Sequence, residues 1–220
     1  MKISDKKTSK LCAVVVGLAL FALMGCSADG DSKEQEEDSV AAGRLCGGVL
    51  SKEAGKALEL ITDVSRFRPS ADESTVRAAA RNLLRAGEGS VTGYGDVCRI
   101  SSPMDDFQVR STWRLSNVLG KPMSPTSRFT KLPMGVGSGA DSNAAFLTFA
   151  CYKKDDLKVT PDYVTIDALI TRKEVNARDD LRALKDAYAT LVHSLGLGMA
   201  KELGCKDNGG LKSKPSLTPA

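Results

Sequence analysis

The chain of 220 residues contains a single histidine, His193, and it has neither a G-x-S-x-G motif nor a C-x-x-C pair. Without G-x-S-x-G there is no nucleophile elbow to place a serine near that histidine. Structural zinc sites usually take cysteine ligands in close pairs, so the missing C-x-x-C argues against zinc. His193 lies about 200° around its helix from Leu191, off the apolar stripe, which predicts a surface histidine. The sequence therefore predicts no catalytic set, no metal and no cofactor.

Residues 11–23 form an apolar run of 13 residues, too short for a comfortable bilayer span of about 20 but suited to the core of an export signal. Lysines precede the run, and Leu23-Met24-Gly25-Cys26 ends it. This pattern predicts a signal over residues 1–25 and lipidation at Cys26, so that the protein is anchored to the cell membrane on its extracytoplasmic side. Secretion after cleavage, with Cys26 left as a free thiol, is the alternative.

The basic character of the chain belongs to this signal. The whole sequence has a net charge of +4, but residues 1–25 hold four Lys against one Asp, which leaves +1 for the remainder. Cationic residues orient an export segment, so the charge implies neither nucleic acid nor an anionic surface as a partner.

Three segments follow the signal. Residues 26–44 comprise Cys26 and an acidic tether that cannot bury enough apolar surface to fold. Residues 45–205 have the length of one extracytoplasmic domain. Residues 206–220 show no apolar period and are predicted to form a flexible tail.

Once Cys12 is assigned to the signal and Cys26 to lipid, four cysteines remain, an even number that predicts two disulfides in an exported protein. Sequence alone permits three pairings of Cys46, Cys98, Cys151 and Cys205. We favour Cys46 with Cys98 and Cys151 with Cys205, because each bond would join a segment that bears a helix to a segment that resembles a strand.

Apolar periodicity predicts an α+β fold with an antiparallel sheet of about four strands, two N-terminal helices and one long C-terminal helix. Ser51 is predicted to cap the first helix, over residues 51–62, and Ser70 with Glu73 has capping-box spacing for a second helix that ends near Ala86. Strands are predicted over residues 97–100, 107–115, 144–152 and 163–171. The third helix is predicted to begin among Asn176, Asp179 and Asp180 and to end at Gly204.

Two rows of arginines could hold an anionic ligand such as a phosphate or a wall polymer: Arg77, Arg81 and Arg85 on the second helix, and Arg110 with Arg114 on the polar face of a strand. A solvated surface is the commoner explanation of each row. The Gly-rich segment 135–140 follows a loop rather than a strand, so it is predicted as a flexible loop that could border a ligand cleft, not as a dinucleotide site. The carboxylate pairs Asp105-Asp106 and Asp155-Asp156 are predicted in turns.

The lipobox at residues 23–26 and the placement of the four cysteines resemble the small, uncharacterised surface lipoproteins common in actinobacteria, and weakly resemble their disulfide-held extracellular sensor domains. The predicted anchor, the disulfide-held sheet and the absence of a catalytic set favour a non-enzymatic binding or sensing module of the cell envelope, with the membrane and an unidentified envelope ligand or protein as partners. Two alternatives stay open. One is an envelope enzyme acting on wall glycan or peptide through a carboxylate, which a deep acidic cleft would favour; the other is an accessory subunit of an envelope complex.

Overall fold

The computed structural model describes residues 39–87, 92–103, 108–119, 128–152, 162–171 and 180–220. The signal, Cys26 and most of the predicted tether lie outside these residues, as do both carboxylate pairs, Phe107, Asn176 and Asp179.

Three helices were predicted, and the described residues contain three α-helices: α1 at Lys52–Thr62, α2 at Val76–Gly87 and α3 at Leu181–Glu202. Short 3-10 helices lie at Ala42–Gly47 and Lys206–Gly210. The hydroxyl of Ser51 accepts a hydrogen bond from the Ala54 amide and caps α1 as predicted. Asp180 caps α3 by accepting from two amides of its first turn. None of the described helices is both long enough and apolar enough to cross a bilayer.

The start of α2 differs from the prediction. The Ser70 hydroxyl accepts a hydrogen bond from the Cys46 amide, and Thr75, five residues later, accepts from the Ala78 amide and caps the helix. The capping-box spacing therefore indicated the wrong residue, because Ser70 serves a distant backbone group rather than its own helix.

A single antiparallel sheet holds six strands rather than the predicted four, in the order β1-β2-β6-β5-β4-β3. The strands are β1 at Thr92–Ser101, β2 at Gln108–Ser116, β3 at Thr130–Lys131, β4 at Gly137–Ala140, β5 at Ala144–Cys151 and β6 at Asp162–Thr171. The two unpredicted strands, β3 and β4, are short, and β4 lies within the Gly-rich segment 135–140 that was predicted as a flexible loop.

The core lies between one face of the sheet and the helices. α2 packs on β1, α3 packs on β5 and β6, and α1 packs on α3. Trp113 of β2, Ile166 of β6 and Leu147 of β5 are among the fully buried side chains that the sheet contributes. This arrangement matches the predicted α+β class, in which helices cover one face of an antiparallel sheet.

The folded region is longer at both ends than predicted. At the N-terminal end, Val40 forms an isolated β-bridge with Phe67, and Ala42 is buried. At the C-terminal end, segment 206–220, which was predicted to be a flexible tail, packs on the domain instead. Its Leu211 is 6% exposed, and the amide of Ala220 donates to the carbonyl of Lys131.

Both predicted disulfides are present with the favoured pairing. Cys46 is bonded to Cys98, which joins the segment before α1 to β1. Cys151 is bonded to Cys205, and this bond joins the end of β5 to the chain that follows α3. Cys205 lies directly after the turn at Gly204. In the chain-entropy model, closing loops of 52 and 54 residues stabilises the folded state by roughly 4 kcal/mol each.

Candidate functional site

A cavity of about 1040 Å³ opens on the face of the sheet opposite the helices. We call it the open-face groove. It runs across β2 and β6 to β5 and reaches around the ends of β1 and β2 to Ala86 of α2. Its lining is Ala86, Thr92, Gly93, Tyr94, Arg110, Thr112, Trp113, Arg114, Leu115, Ser116, Val118, Thr148, Tyr163, Thr165, Leu169 and Thr171.

Sequence alternation produces this polar face. Along β2, Val109, Trp113 and Leu115 are buried against the helices, whereas Arg110 and Arg114 point to the other side and are half-exposed or exposed. Because successive side chains of a strand alternate between the two faces of a sheet, the predicted register of β2 places both arginines in the groove.

Arg110 is held by a carboxylate on the neighbouring strand. Its guanidinium lies 2.8 Å from Asp96 of β1, and the same carboxylate accepts hydrogen bonds from Arg99. Partial burial raises the pKa of Asp96, but the hydrogen bonds and charges of Arg110 and Arg99 outweigh it and lower the pKa below its usual value. Two guanidinium groups thus share one carboxylate, which leaves one positive charge in excess.

Arg114 is paired with Asp167 of β6 at 3.3 Å. This pair is less exposed, with 25% of the arginine side chain and 18% of the aspartate side chain accessible. Burial raises the pKa of Asp167, and the nearby Arg114 guanidinium opposes this rise only in part.

Neither aspartate is a lining residue, so the charged side chains of the described groove are Arg110 and Arg114 alone. In the strand register, Asp96 and Asp167 lie on either side of Thr112, which is a lining residue, so each arginine meets the groove together with the carboxylate that pairs with it.

Half of the lining residues are Ser, Thr or Tyr, but most of the exposed lining surface is apolar. Thr148 of β5 and Thr165 of β6 share a hydrogen bond at 2.8 Å in the floor. Tyr94 stands at the rim on β1 and is 85% exposed.

The rim at β1 is also close-packed. Trp113 is 2% exposed, and its Nε1 has no hydrogen-bond partner among the described residues. A Cβ at Gly95 would lie 2.8 Å from that same Nε1, so the edge strand can approach the indole only because this residue is glycine.

The second predicted arginine row lies elsewhere. Arg77, Arg81 and Arg85 are exposed on α2, which packs on the helix-covered face of the sheet, and none of them lines the groove. Arg77 is paired with Glu202 at 3.4 Å, and Arg85 donates to Asn82. The structure therefore separates the two rows that the sequence analysis grouped as possible anion-binding residues. Arg99 and Asp96 were not predicted, because the bulge between Asp96 and Cys98 breaks the alternation of β1.

The surface position predicted for His193 is wrong. The imidazole is 4% exposed and its Nε2 lies 3.0 Å from the carbonyl oxygen of Lys212. Segment 206–220 covers the helix face that the sequence pattern assigned to solvent. His193 is therefore buried and does not line the groove. None of the four cysteines has a free thiol, because all of them form disulfides: Cys46, Cys98, Cys151 and Cys205.

The predicted flexible loop at 135–140 is largely a strand. Gly135 forms a turn at φ +58°, and Gly137–Ala140 pairs with β5 as β4. A Cβ at Gly139 would lie 2.9 Å from the Phe146 ring, so the glycines admit close packing of that ring instead of providing a mobile border. In the part of the chain that the structure describes, no group of His, Cys, Asp and Glu side chains could hold a metal ion.

Comparison of the chain with family models, with curated proteins and with solved structures finds no match.

Proposed function

We propose that the protein is a non-enzymatic binding module of the cell envelope, tethered to the membrane through a lipidated Cys26, and that its ligand lies in the open-face groove. The observation that carries this proposal is the lining of the groove. It presents two arginines that are paired with half-buried carboxylates, and both arginines line a cavity of about 1040 Å³. Ligand sites are typically concave and combine apolar surface with a few placed polar groups.

The charges favour binding over the alternative of a wall-degrading enzyme. A carboxylate mechanism requires an acidic group that faces the substrate, whereas Asp96 and Asp167 are paired with arginines and do not line the groove. The two disulfides suit an extracytoplasmic location, because such bonds persist in oxidising compartments.

The anchoring part of the proposal is tested by fractionating cells that express the wild-type chain or Cys26→Ser. We expect the wild-type protein in the membrane fraction and the variant outside it, since two acyl chains anchor a protein stably. An unchanged membrane fraction for Cys26→Ser would contradict the lipid anchor.

The binding part is tested by placing a photo-crosslinking phenylalanine analogue at position 94 in cells. Tyr94 is exposed at the groove rim, and Leu60 of α1, which is 51% exposed and does not line the groove, is the matched control position. Envelope adducts that form at position 94 and not at position 60 support a ligand in the groove. Equal labelling at both positions, or none at position 94, would argue against it.

A further inference from the structure

The side chains of the open-face groove also indicate the chemistry of its ligand. We propose that the groove binds an acidic carbohydrate, a chain of sugar rings of which one carries a carboxylate or a phosphate group. This inference rests on the proposed binding function and goes beyond it by naming the ligand class.

The charge balance favours an anionic group over a cationic one. Among the described lining residues the ionised side chains are both arginines, and the lining contains no acidic residue. The Arg99–Asp96–Arg110 cluster retains one positive charge, since its single carboxylate is shared by two guanidinium groups. Arginine binds carboxylate and phosphate oxygens with paired hydrogen bonds, so Arg110 is the expected contact for one such group.

The mixed character of the lining favours a sugar over a fatty acid or a lipid tail. Half of the lining residues carry a hydroxyl, although most of the exposed lining surface is apolar. A sugar ring has an apolar C–H face together with hydroxyls that donate and accept hydrogen bonds, so it matches both parts of the lining. An acyl chain would match the apolar part alone.

The shape and the aromatic side chains agree with a chain of rings. Tyr94 on β1 and Thr148 on β5 lie on one cross-strand row through Arg114 and Thr165. Neighbouring strands are about 4.8 Å apart, so this row spans about 14 Å. Tyr94, which is 85% exposed, can pack its ring against the C–H face of a sugar at one end of the row.

Two tetrasaccharides, one acidic and one neutral, test the proposal by calorimetric titration of the oxidised full-length chain. The acidic probe is a hyaluronan tetrasaccharide, in which glucuronate alternates with N-acetylglucosamine, and the neutral probe is chitotetraose, which contains N-acetylglucosamine alone. N-acetylmuramic acid oligosaccharides and glucose 6-phosphate are further acidic probes. Inorganic phosphate and acetate are controls that measure binding of a free anion without a sugar. We expect at least one acidic sugar to bind about tenfold more tightly than chitotetraose.

Groove variants separate the contributions of charge and stacking. Arg110→Gln should abolish the preference for the acidic sugar while leaving binding of the neutral one unchanged. Tyr94→Ala should weaken both by about threefold to tenfold. Arg81→Gln, on the exposed face of α2 and outside the groove, is the matched control and should bind as the wild type does.

Three results would overturn the inference: equal affinity for the acidic and neutral sugars, no acidic sugar bound more tightly than chitotetraose, or inorganic phosphate bound as tightly as the acidic sugars. If the crosslinker at position 94 still captures an envelope component, any of these results contradicts the ligand class but not the proposed binding function. Loss of that capture, in contrast, contradicts the proposed function itself.

Discussion

Nε2 of His193 in α3 lies 3.0 Å from the main-chain oxygen of Lys212, and this hydrogen bond joins the last helix to segment 206–220. Burial lowers the pKa of the imidazole, and the bond to Lys212 opposes this only in part. A base whose pKa is lower in the folded state binds fewer protons there than in the unfolded chain. Its contribution to stability is therefore complete above about pH 6.5 and is lost as the pH falls through the folded pKa.

We accordingly expect the free energy of unfolding to decrease as the pH falls from about 7 to 5, and His193→Gln to remove part of this decrease. Urea unfolding at a series of pH values measures the effect. Because the chain has one histidine, NMR titration of a single imidazole signal gives the folded pKa directly. A midpoint at or above the value of an exposed histidine would contradict the prediction.

Asp96 gives a second test, at more acid pH. Its lowered pKa means that the ionised carboxylate stabilises the fold above the usual aspartate pKa, and that this stabilisation is lost as the pH falls through the folded value. Asp96→Asn should lower the free energy of unfolding at pH 7 by less than about 1 kcal/mol, since the ion pairs are partly exposed. The difference from wild type should shrink near pH 3 and in high salt. A difference that is unchanged by pH would exclude the ion pairs as its cause.

Gly209 and Gly210 form a matched pair in the turn that follows the second disulfide. Both have positive φ, at +68° and +77°, so alanine at either position incurs a backbone cost of about 1 kcal/mol. At Gly209 a Cβ would also lie 2.7 Å from the Phe149 ring, whereas at Gly210 nothing lies within 4 Å. Gly209→Ala should therefore destabilise the protein by at least about 1 kcal/mol more than Gly210→Ala. Chemical denaturation of the two variants side by side measures this, and equal losses would mean that the turn does not pack on β5.

Replacing Cys151 and Cys205 together by alanine removes the bond between β5 and the end of α3. The expected loss is roughly 4 kcal/mol of unfolding free energy in the chain-entropy model. Amide hydrogen exchange should increase first over residues 206–220, because Lys206 donates to Tyr152 directly beside the bond. If exchange became faster by the same factor throughout the domain, and not first in residues 206–220, the bond would stabilise the domain only globally.

The sequence predicted elements whose signal is local. The Ser51 cap and the alternation of β2 and β6 each depend on residue types at short spacing, and the two disulfides follow from an even number of cysteines, whatever their spacing. β4 was missed because Gly137–Ala140 carries no alternating pattern and becomes a strand only by pairing with β5. The burial of His193 was missed for a related reason, since it depends on the return of segment 206–220 to α3.

The groove was predictable only in part. Arg110 and Arg114 follow from the alternation of β2, but their carboxylate partners sit on other strands, and the pairing register that brings them together is not a property of any one segment. Grouping Arg77, Arg81 and Arg85 with them depended on a common charge, which says nothing about position in three dimensions.

The first disulfide also determines how the domain responds to a pulling force applied at Ser39. Such a force would first open the bridge between Val40 and Phe67 and would then reach the covalent bond between Cys46 and Cys98. The chain between Cys46 and Cys98 cannot be extended while that bond is intact. In the same way, the second disulfide prevents extension of the chain between Cys151 and Cys205 when the C-terminal end is pulled. Between Cys46 and Cys205, mechanical extension is thus confined to the chain from Cys98 to Cys151, which contains β2 and the groove arginines.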